Sequence, residues 1–235
     1  MNNMELGKLY IVGTPIGNLE DITLRALGVL REVSIVAAED TRHTRNLLNH
    51  FKIRATLVSY HDHNKEEKAP VLVQQLQSGL SVALVSDAGT PGISDPGYFL
   101  INCCIQADIP VVPVPGPSAF LAALSVSGLP TDSFLYEGFL PKKQAARLKR
   151  LSEIKDQPRT IILYESPHRL LRCLTDLLEI LGDRRAVIAR ELTKAFEEVL
   201  RGRLSKLIST MTGRTVRGEI TLVIEGNRSI TTHWD

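Results

Sequence analysis

Cysteine is scarce in this chain: Cys103, Cys104 and Cys173 are the only three in 235 residues. An odd number with two adjacent argues against a disulfide framework, and metal-ligand spacing is absent. The three read as small buried apolar residues of a reducing compartment. Aromatic residues make up 5% of the chain, which argues against a platform on which single-stranded bases stack. Excess charge of one sign is small as well. Lysine and arginine number 28 against 26 acidic residues, a formal net charge of +2, so local clustering must decide whether an anionic polymer is a partner. No apolar run approaches the length of a membrane span, and Met1 to Lys8 holds no apolar signal core. The expectation is a soluble cytoplasmic protein. What is present is an ordinary globular composition, 43% hydrophobic and 23% charged, long enough for one large or two small domains.

Short apolar runs alternate with helical stripes along the chain. Leu9-Tyr10-Ile11-Val12, Val33 to Ala38, Leu57-Val58-Ser59 and Val82 to Val85 read as strands. Between them lie a helix capped by Thr23, a helix carrying Leu47 and Leu48, and a helix from Ala69 to Ser78 with Pro70 in its first turn. A helix over Phe99 to Ala107 follows, and then a proline-interrupted segment, Ile109 to Val114, that belongs at a sheet edge. Pro115-Gly116-Pro117 is the best domain boundary. It separates an N-terminal α/β domain, 1–115, from a C-terminal one, 116–235. In the second half, helices are expected over Ser118 to Ser127, Pro141 to Ile154, from Ser166-Pro167 onward, and Leu204 to Met211. Strands are expected over Arg159 to Tyr164, Ala186 to Ala189 and Ile220 to Ile224. The fold class is α/β, two domains with mostly parallel or mixed sheets.

The segment with most to say about function is Ser86-Asp87-Ala88-Gly89-Thr90-Pro91-Gly92-Ile93-Ser94-Asp95-Pro96-Gly97. It leaves a buried strand, and its glycines and prolines block helix and ladder alike. Its side chains are too small to build a core, so backbone N–H and C=O groups, carboxylates and hydroxyls stay available at a sheet's carboxyl edge. That inventory suits a polar small molecule held mainly by main chain. Gly13-Thr14-Pro15-Ile16-Gly17 also follows a strand, but it is neither a Walker loop nor a dinucleotide fingerprint. Glu39 to Arg45 is read two ways with equal weight: a capped helix start, or a polar rim meeting a phosphate backbone through Arg42 and Arg45. His61-Asp62-His63 lacks a third metal ligand and reads as surface polar residues. Glu165 and His168, after the strand ending at Tyr164, are a helix cap with solvated neighbours or proton-handling groups. Arg190-Glu191, ending another strand, reads as a structural ion pair. Two basic clusters, Lys142, Lys143, Arg147, Lys149 and Arg150, and Arg201, Arg203, Lys206, Arg214 and Arg217, have few interleaved acids, so an anionic polymer is a plausible partner.

These motifs together resemble the ribosomal RNA small-subunit methyltransferase I family, a branch of the tetrapyrrole methylase superfamily. The resemblance rests on nine ordered segments that span essentially the whole chain: 9–19, 37–44, 61–64, 84–97, 114–119, 136–141, 164–170, 189–194 and 218–226. It implies a tetrapyrrole methylase-like fold, S-adenosylmethionine in the cleft between two α/β domains, a homodimer, no metal, and 2′-O-methylation of cytidine 1402 in 16S rRNA of the assembled small subunit. The cofactor is then expected at Pro15, Ser86, Asp87, Ala88, Gly89, Ile93, Ser94, Ser118, Ala119, Tyr164, Glu219 and Ile220. RNA is expected at Arg42, Arg45, Lys142, Lys143 and Arg147. A weakly acidic 2′-hydroxyl calls for a base, and Glu165 and His168 are the candidates. Where the superfamily has Gly-Asp-Pro this chain has Gly89-Thr90-Pro91, a departure that points away from small-macrocycle substrates. Family members commonly extend past the last strand, whereas this chain stops at Asp235. The alternatives are a methylase of a small tetrapyrrole and a catalytically silent RNA-binding module.

Overall fold

The computed structural model describes residues 5–227. Residues 1–4 of the Met1 to Lys8 segment and residues 228–235 of the C-terminal half lie outside the described residues. The chain divides into two units, Met1–Ser118 and Ala119–Asp235.

In the first unit, five strands form one sheet: β1 (Leu9–Val12), β2 (Ile35–Ala38), β3 (Thr56–Ser59), β4 (Val82–Val85) and β5 (Val111–Val114), in the order β3-β2-β4-β1-β5. Every pairing in it is parallel. A parallel sheet is covered on both faces, which is why its strands read as continuous apolar runs. Residue parity sorts the two cores. Leu9, Ile11, Ile35, Ala37, Val82 and Leu84 pack under α3 (Lys65–Gln77) and α4 (Tyr98–Gln106). Val12, Val36, Ala38, Ala83 and Val85 pack under α1 (Leu24–Glu32) and α2 (Thr41–His50). β5, whose Pro113 withholds a ladder donor, lies at the edge. Helix α3 begins earlier than its apolar stripe, at Lys65, so Pro70 sits in the helix interior rather than its first turn. There it leaves Glu66 C=O without its helical donor.

The described residues of the second unit also form five strands: β6 (Phe134–Phe139), β7 (Thr160–Glu165), β8 (Arg185–Arg190), β9 (Glu198–Arg203) and β10 (Ile220–Ile224), in the order β6-β7-β10-β8-β9. Only β6 and β7 run parallel; β10 is antiparallel to both β7 and β8, and β9 to β8. One face carries α6 (Gln144–Glu153), α7 (Leu170–Leu181) and α8 (Leu204–Met211) over Ile161, Leu163, Ile188, Leu222 and Ile224. The other carries α5 (Ala119–Ser127) over Ile162, Val187, Ala189 and Val223. Ser166-Pro167 forms a turn, with Arg169 N–H donating to Ser166 O at 3.1 Å, and the helix itself starts at Leu170.

A buried ion pair links α6 to α7. Arg147 and Asp176 are each 2% exposed, and Arg147 Nε donates to Asp176 Oδ2 at 2.6 Å. Arg147 Nη1 also donates to the carbonyls of Pro141 and Lys142 at 3.3 and 3.1 Å. A buried charge that keeps its partner is tolerated; one that loses it is expensive. Asp176→Ala is therefore expected to destabilise the protein by about 3–5 kcal/mol. Arg147→Met with Asp176→Leu should recover most of that loss, and urea unfolding midpoints of the three proteins measure both effects.

Candidate functional site

Strands β1, β2 and β4 end side by side, but their chains leave in different directions. β1 and β2 lead to α1 and α2 on one face of the sheet, and β4 leads to α4 on the other. The carboxyl end of β4 is thus a point where connections diverge, and in open α/β sheets that divergence opens the ligand crevice. The two loops flanking it are joined by main chain. Thr14 N–H donates to Gly89 O at 2.8 Å, and Gly89 N–H donates to Thr14 O at 3.1 Å. The Thr14 hydroxyl adds a bond to Ser86 O at 3.1 Å. Gly89 holds φ +78°, a left-handed conformation that costs a side-chain-bearing residue about 1–2 kcal/mol. At the neighbouring strand pair, β1 and β5, the chains pass so closely that a Cβ on Gly116 would stand 2.8 Å from Gly13 Cα. Both positions require glycine for space.

Pro15, Ser86, Asp87, Ala88 and Gly89 are brought together here. Pro15, Ser86 and Gly89 are buried, while Asp87 and Ala88 are half-buried. Ile93 and Ser94 are exposed further along the same loop, and Ser118 is half-buried at the end of the unit. Two residues of the Glu39 to Arg45 segment, which the sequence reading did not place with this loop, join the group. Asp40 N–H donates to Asp87 Oδ1 at 3.1 Å, and Asp87 N–H donates to Glu39 Oε2 at 3.4 Å. Asp40 is also the cap of α2, accepting from Arg42 N–H at 2.8 Å and pairing with the Arg42 guanidinium at 3.1 Å. Arg42 and Arg45 are both exposed on α2. The two readings of this segment are therefore compatible, since a capped helix start leaves its cations outside. His61 lies close enough to Glu39 to act on its charge, and its Nδ1 is buried without a hydrogen-bond partner among the described residues.

Withdrawal from water raises the Glu39 carboxyl above its ordinary value of 4.5. The Asp87 amide opposes the rise, the charges of Asp87 and Asp62 add to it, and His61 lowers it. The folded protein thus holds this proton more tightly than the unfolded chain does. The stability it contributes is present below the ordinary carboxyl value and is lost as pH rises through the folded one. Glu39→Gln, neutral throughout, should raise the thermal midpoint relative to the parent at neutral pH. The gap should close below pH 4.5, as paired melting curves across the pH range would record.

In the second unit Tyr164 and Thr221 are paired across β7 and β10, as are Glu165 and Ile220. This puts Tyr164, Glu219 and Ile220 at one edge of the sheet. Their side chains part company. Tyr164 shares the α5 face with Tyr136, the ring centroids 5.4 Å apart. Ile220 belongs to the core beneath α7 and α8, so only its backbone could serve a ligand. The Glu219 carboxylate is held by Lys194 Nζ at 2.9 Å, and Lys194 also holds Glu191 at 2.9 Å. Arg190 pairs with Glu198 instead, at 3.2 Å, so Arg190 and Glu191 are both ion-paired, though not to each other. Ala119 opens α5 and is half-buried.

Burial separates three of the expected site residues. Glu165 is not solvated. It is 2% exposed on the α7 side, accepts from Ser166 N–H at 2.8 Å and pairs with Arg169 at 3.2 Å. Burial and the hydrogen-bonded Glu165 carboxylate both push the Cys173 thiol upward. Glu165 fixes the turn into α7. His168 is exposed and does not accompany Glu165 inward; it lines a groove with the loop after α8. Arg147 is not on the surface with Lys142 and Lys143, because Asp176 holds it in the interior. It supports the exposed Lys142 and Lys143 by bonding the carbonyls beside them. Much of the second basic cluster is also engaged: Arg201 with Val126 O, Arg203 with Asp183 O, and Arg214 with Glu198.

The chain from residue 8 to 208 matches the family described as tetrapyrrole (corrin/porphyrin) methylases. It is 56% identical over 223 residues to the ribosomal RNA small subunit methyltransferase I of Vibrio cholerae, covering 94% of this chain and 77% of that protein. The protein of the same name from Escherichia coli O157:H7 is 53% identical over 226 residues, covering 95% and 79%. Among solved structures, cobalt precorrin-4 methyltransferase superposes with a TM-score of 0.69 at 18% identity, covering 93% and 94%. Uroporphyrin-III-C-methyltransferase from Thermus thermophilus gives 0.64 at 25% identity, covering 94% of each chain. The chain belongs to the tetrapyrrole methylase family and, within it, to the ribosomal RNA small subunit methyltransferase I family.

Proposed function

We propose that this protein is an S-adenosylmethionine-dependent methyltransferase that modifies the ribose 2′-oxygen of cytidine 1402 in 16S rRNA. The observation that carries the reading is the small-residue loop 86–94 at the carboxyl end of β4, where the connections of the sheet diverge. Its fit to the cofactor rests on the chemistry on offer. Ala88, Gly89 and Ser94 carry little side chain to stand between a ligand and the loop, and Gly89 holds the left-handed φ of +78° that shapes it. Pro15, Ser86 to Gly89, Ile93, Ser94 and Ser118 would hold the cofactor in this unit; Ala119, Tyr164, Glu219 and the Ile220 backbone are the residues assigned to it in the second.

When bound, the cofactor supplies an electrophilic sulfonium methyl group. The protein's own task is then mainly alignment of the attacking oxygen. The Thr14–Gly89 bridge and the Asp87–Asp40 bond serve it by fixing the loops before any ligand arrives. The rRNA substrate is supported by relatives about half identical to this chain and named for it, and by the exposed cations Arg42, Arg45, Lys142 and Lys143. In this reading a homodimer acts in the cytoplasm on assembled small subunits. The particle supplies remote contacts that a chain of net charge +2 lacks by itself.

Methyl transfer from radiolabelled S-adenosylmethionine should be fast on intact small subunits. It should be slower on naked 16S rRNA, and weak on a short cytidine oligomer or a tetrapyrrole acceptor. Mapping should put the methyl on the ribose. A methylated base, or a preference for the tetrapyrrole, overturns the assignment. Lys142→Ala with Lys143→Ala should weaken RNA binding and flatten its salt dependence, by about 0.7 in log–log slope for each single-strand phosphate deprived of its cation. Cofactor affinity, measured by calorimetry, should not change.

A further inference from the structure

His168, displaced from any partnership with Glu165, lines a groove of about 360 Å³ between the start of α7 and the segment from Met211 to Arg217. The floor of the groove is apolar. Met211 is buried, Val216 is half-buried, and Leu171 is 41% exposed although its helix neighbours Leu170 and Leu174 are buried. Its rim is basic: Arg214 and Arg217 border it, with the His168 imidazole beside them. Most carboxylates of the surrounding loops are already ion-paired, and Glu197 accepts from Thr193 N–H. Glu198 pairs with Arg190 and Arg214, Glu191 and Glu219 share Lys194, and Glu165 is buried against Arg169. Arg217 is exposed, and among the described residues only its backbone carbonyl is engaged, by Arg190 Nη1 at 3.2 Å. The wall is preformed. Arg214 N–H donates to Met211 O at 3.2 Å, its guanidinium spans to Met211 Sδ at 3.8 Å, and Glu198 holds its other end at 2.9 Å.

We infer that this groove binds one unpaired nucleotide of the RNA substrate other than the nucleotide that is methylated. An apolar floor beneath a cationic rim is complementary to an unstacked base joined to its phosphate. The base would rest on Leu171, Met211 and Val216, and the phosphate would face Arg217 and His168. An A-form duplex keeps its bases stacked and offers the groove nothing to bury. The inference rests on the rRNA reading above and adds a second anchoring point, the kind of remote contact from which orientation at a reacting centre is drawn.

The test is fluorescence anisotropy with a labelled single-stranded oligoribonucleotide that spans the target cytidine, titrated at several salt concentrations. Arg217→Gln should reduce the log–log salt slope by about 0.7, the share of one single-strand phosphate. Leu171→Ala should weaken binding by about fivefold or more without altering the slope, because it removes apolar surface and no charge. Both variants should keep the parent's thermal midpoint and its calorimetric affinity for S-adenosylmethionine. Parental affinity and slope in both variants overturn the groove assignment. So does failure of the parent to bind the oligonucleotide, while methyl transfer to small subunits judges the rRNA reading separately. Tighter binding of oligoglutamate than of the RNA, lost in Arg217→Gln, also overturns it and gives the groove to an acidic protein segment.

Discussion

Thr14 and Gly89 bind each other through reciprocal main-chain bonds, reinforced by the Thr14 hydroxyl, and the first unit is organised around that contact. Two parallel strands that neighbour each other in the sheet would ordinarily let their following loops separate toward the helices on opposite faces. The reciprocal bonds between Thr14 and Gly89, with the Thr14 hydroxyl on Ser86 O, hold those loops together where they begin to part. Such an arrangement demands residues with little side chain. It also leaves polar main chain at the sheet edge, where it can serve a ligand. The same edge gathers Glu39, Asp40 and Asp87 into one network. Tyr60, just past β3, ties that strand to α4: its hydroxyl accepts from Leu100 N–H at 3.1 Å in the first turn of the helix, and its burial raises its own pKa to about 12.

The second unit solves a different problem with buried charge. Arg147 and Arg169 both reach the segment Leu140 to Lys142, one through Pro141 and Lys142 carbonyls and the other through Leu140 and Pro141. Each arginine is neutralised from behind, by Asp176 and Glu165. Replacing such pairs with apolar residues need not destabilise a protein, so their value lies in aiming a loop rather than in stability. What they aim is the approach to α6, with Lys142 and Lys143 at its exposed tip.

Much of the fold could be read from the chain because buried parallel strands are near-continuous apolar runs; β1, β2 and β4 announce themselves that way. β9 does not, since Glu198-Val199-Leu200-Arg201-Gly202-Arg203 lies at an edge with charges facing out. β6 is masked by an irregularity at Glu137, between Tyr136 and Gly138, that breaks its alternation. The start of α3 was hidden because Asn64 bonds back to Ser59 O and His61 N–H instead of capping the helix. The small-residue loop was legible as a site, since its composition excludes a core role. Glu165 and Arg147 were not legible. Whether a charge is solvated or buried depends on a partner distant in sequence (Asp176 for Arg147) or on which face of a strand it occupies, and local composition records neither.

The middle of the second sheet is filled by β10, the final strand in chain order among the described residues, flanked by β7 and β8. The first unit has all five of its strands by Val114. During synthesis, then, the N-terminal unit can complete its sheet while the rest of the chain is still being made. The C-terminal unit cannot join β7 to β8 until Ile220–Ile224 has emerged. Until that moment the inner edges of β7 and β8 have no partner strand, although β6 and β9 can pair with their outer edges, and exposed strand edges of this kind invite wrong pairing. The nascent protein is most vulnerable late, over the stretch of translation between Arg190 and Ile224, when a stall or truncation would leave a finished first unit tethered to an open sheet.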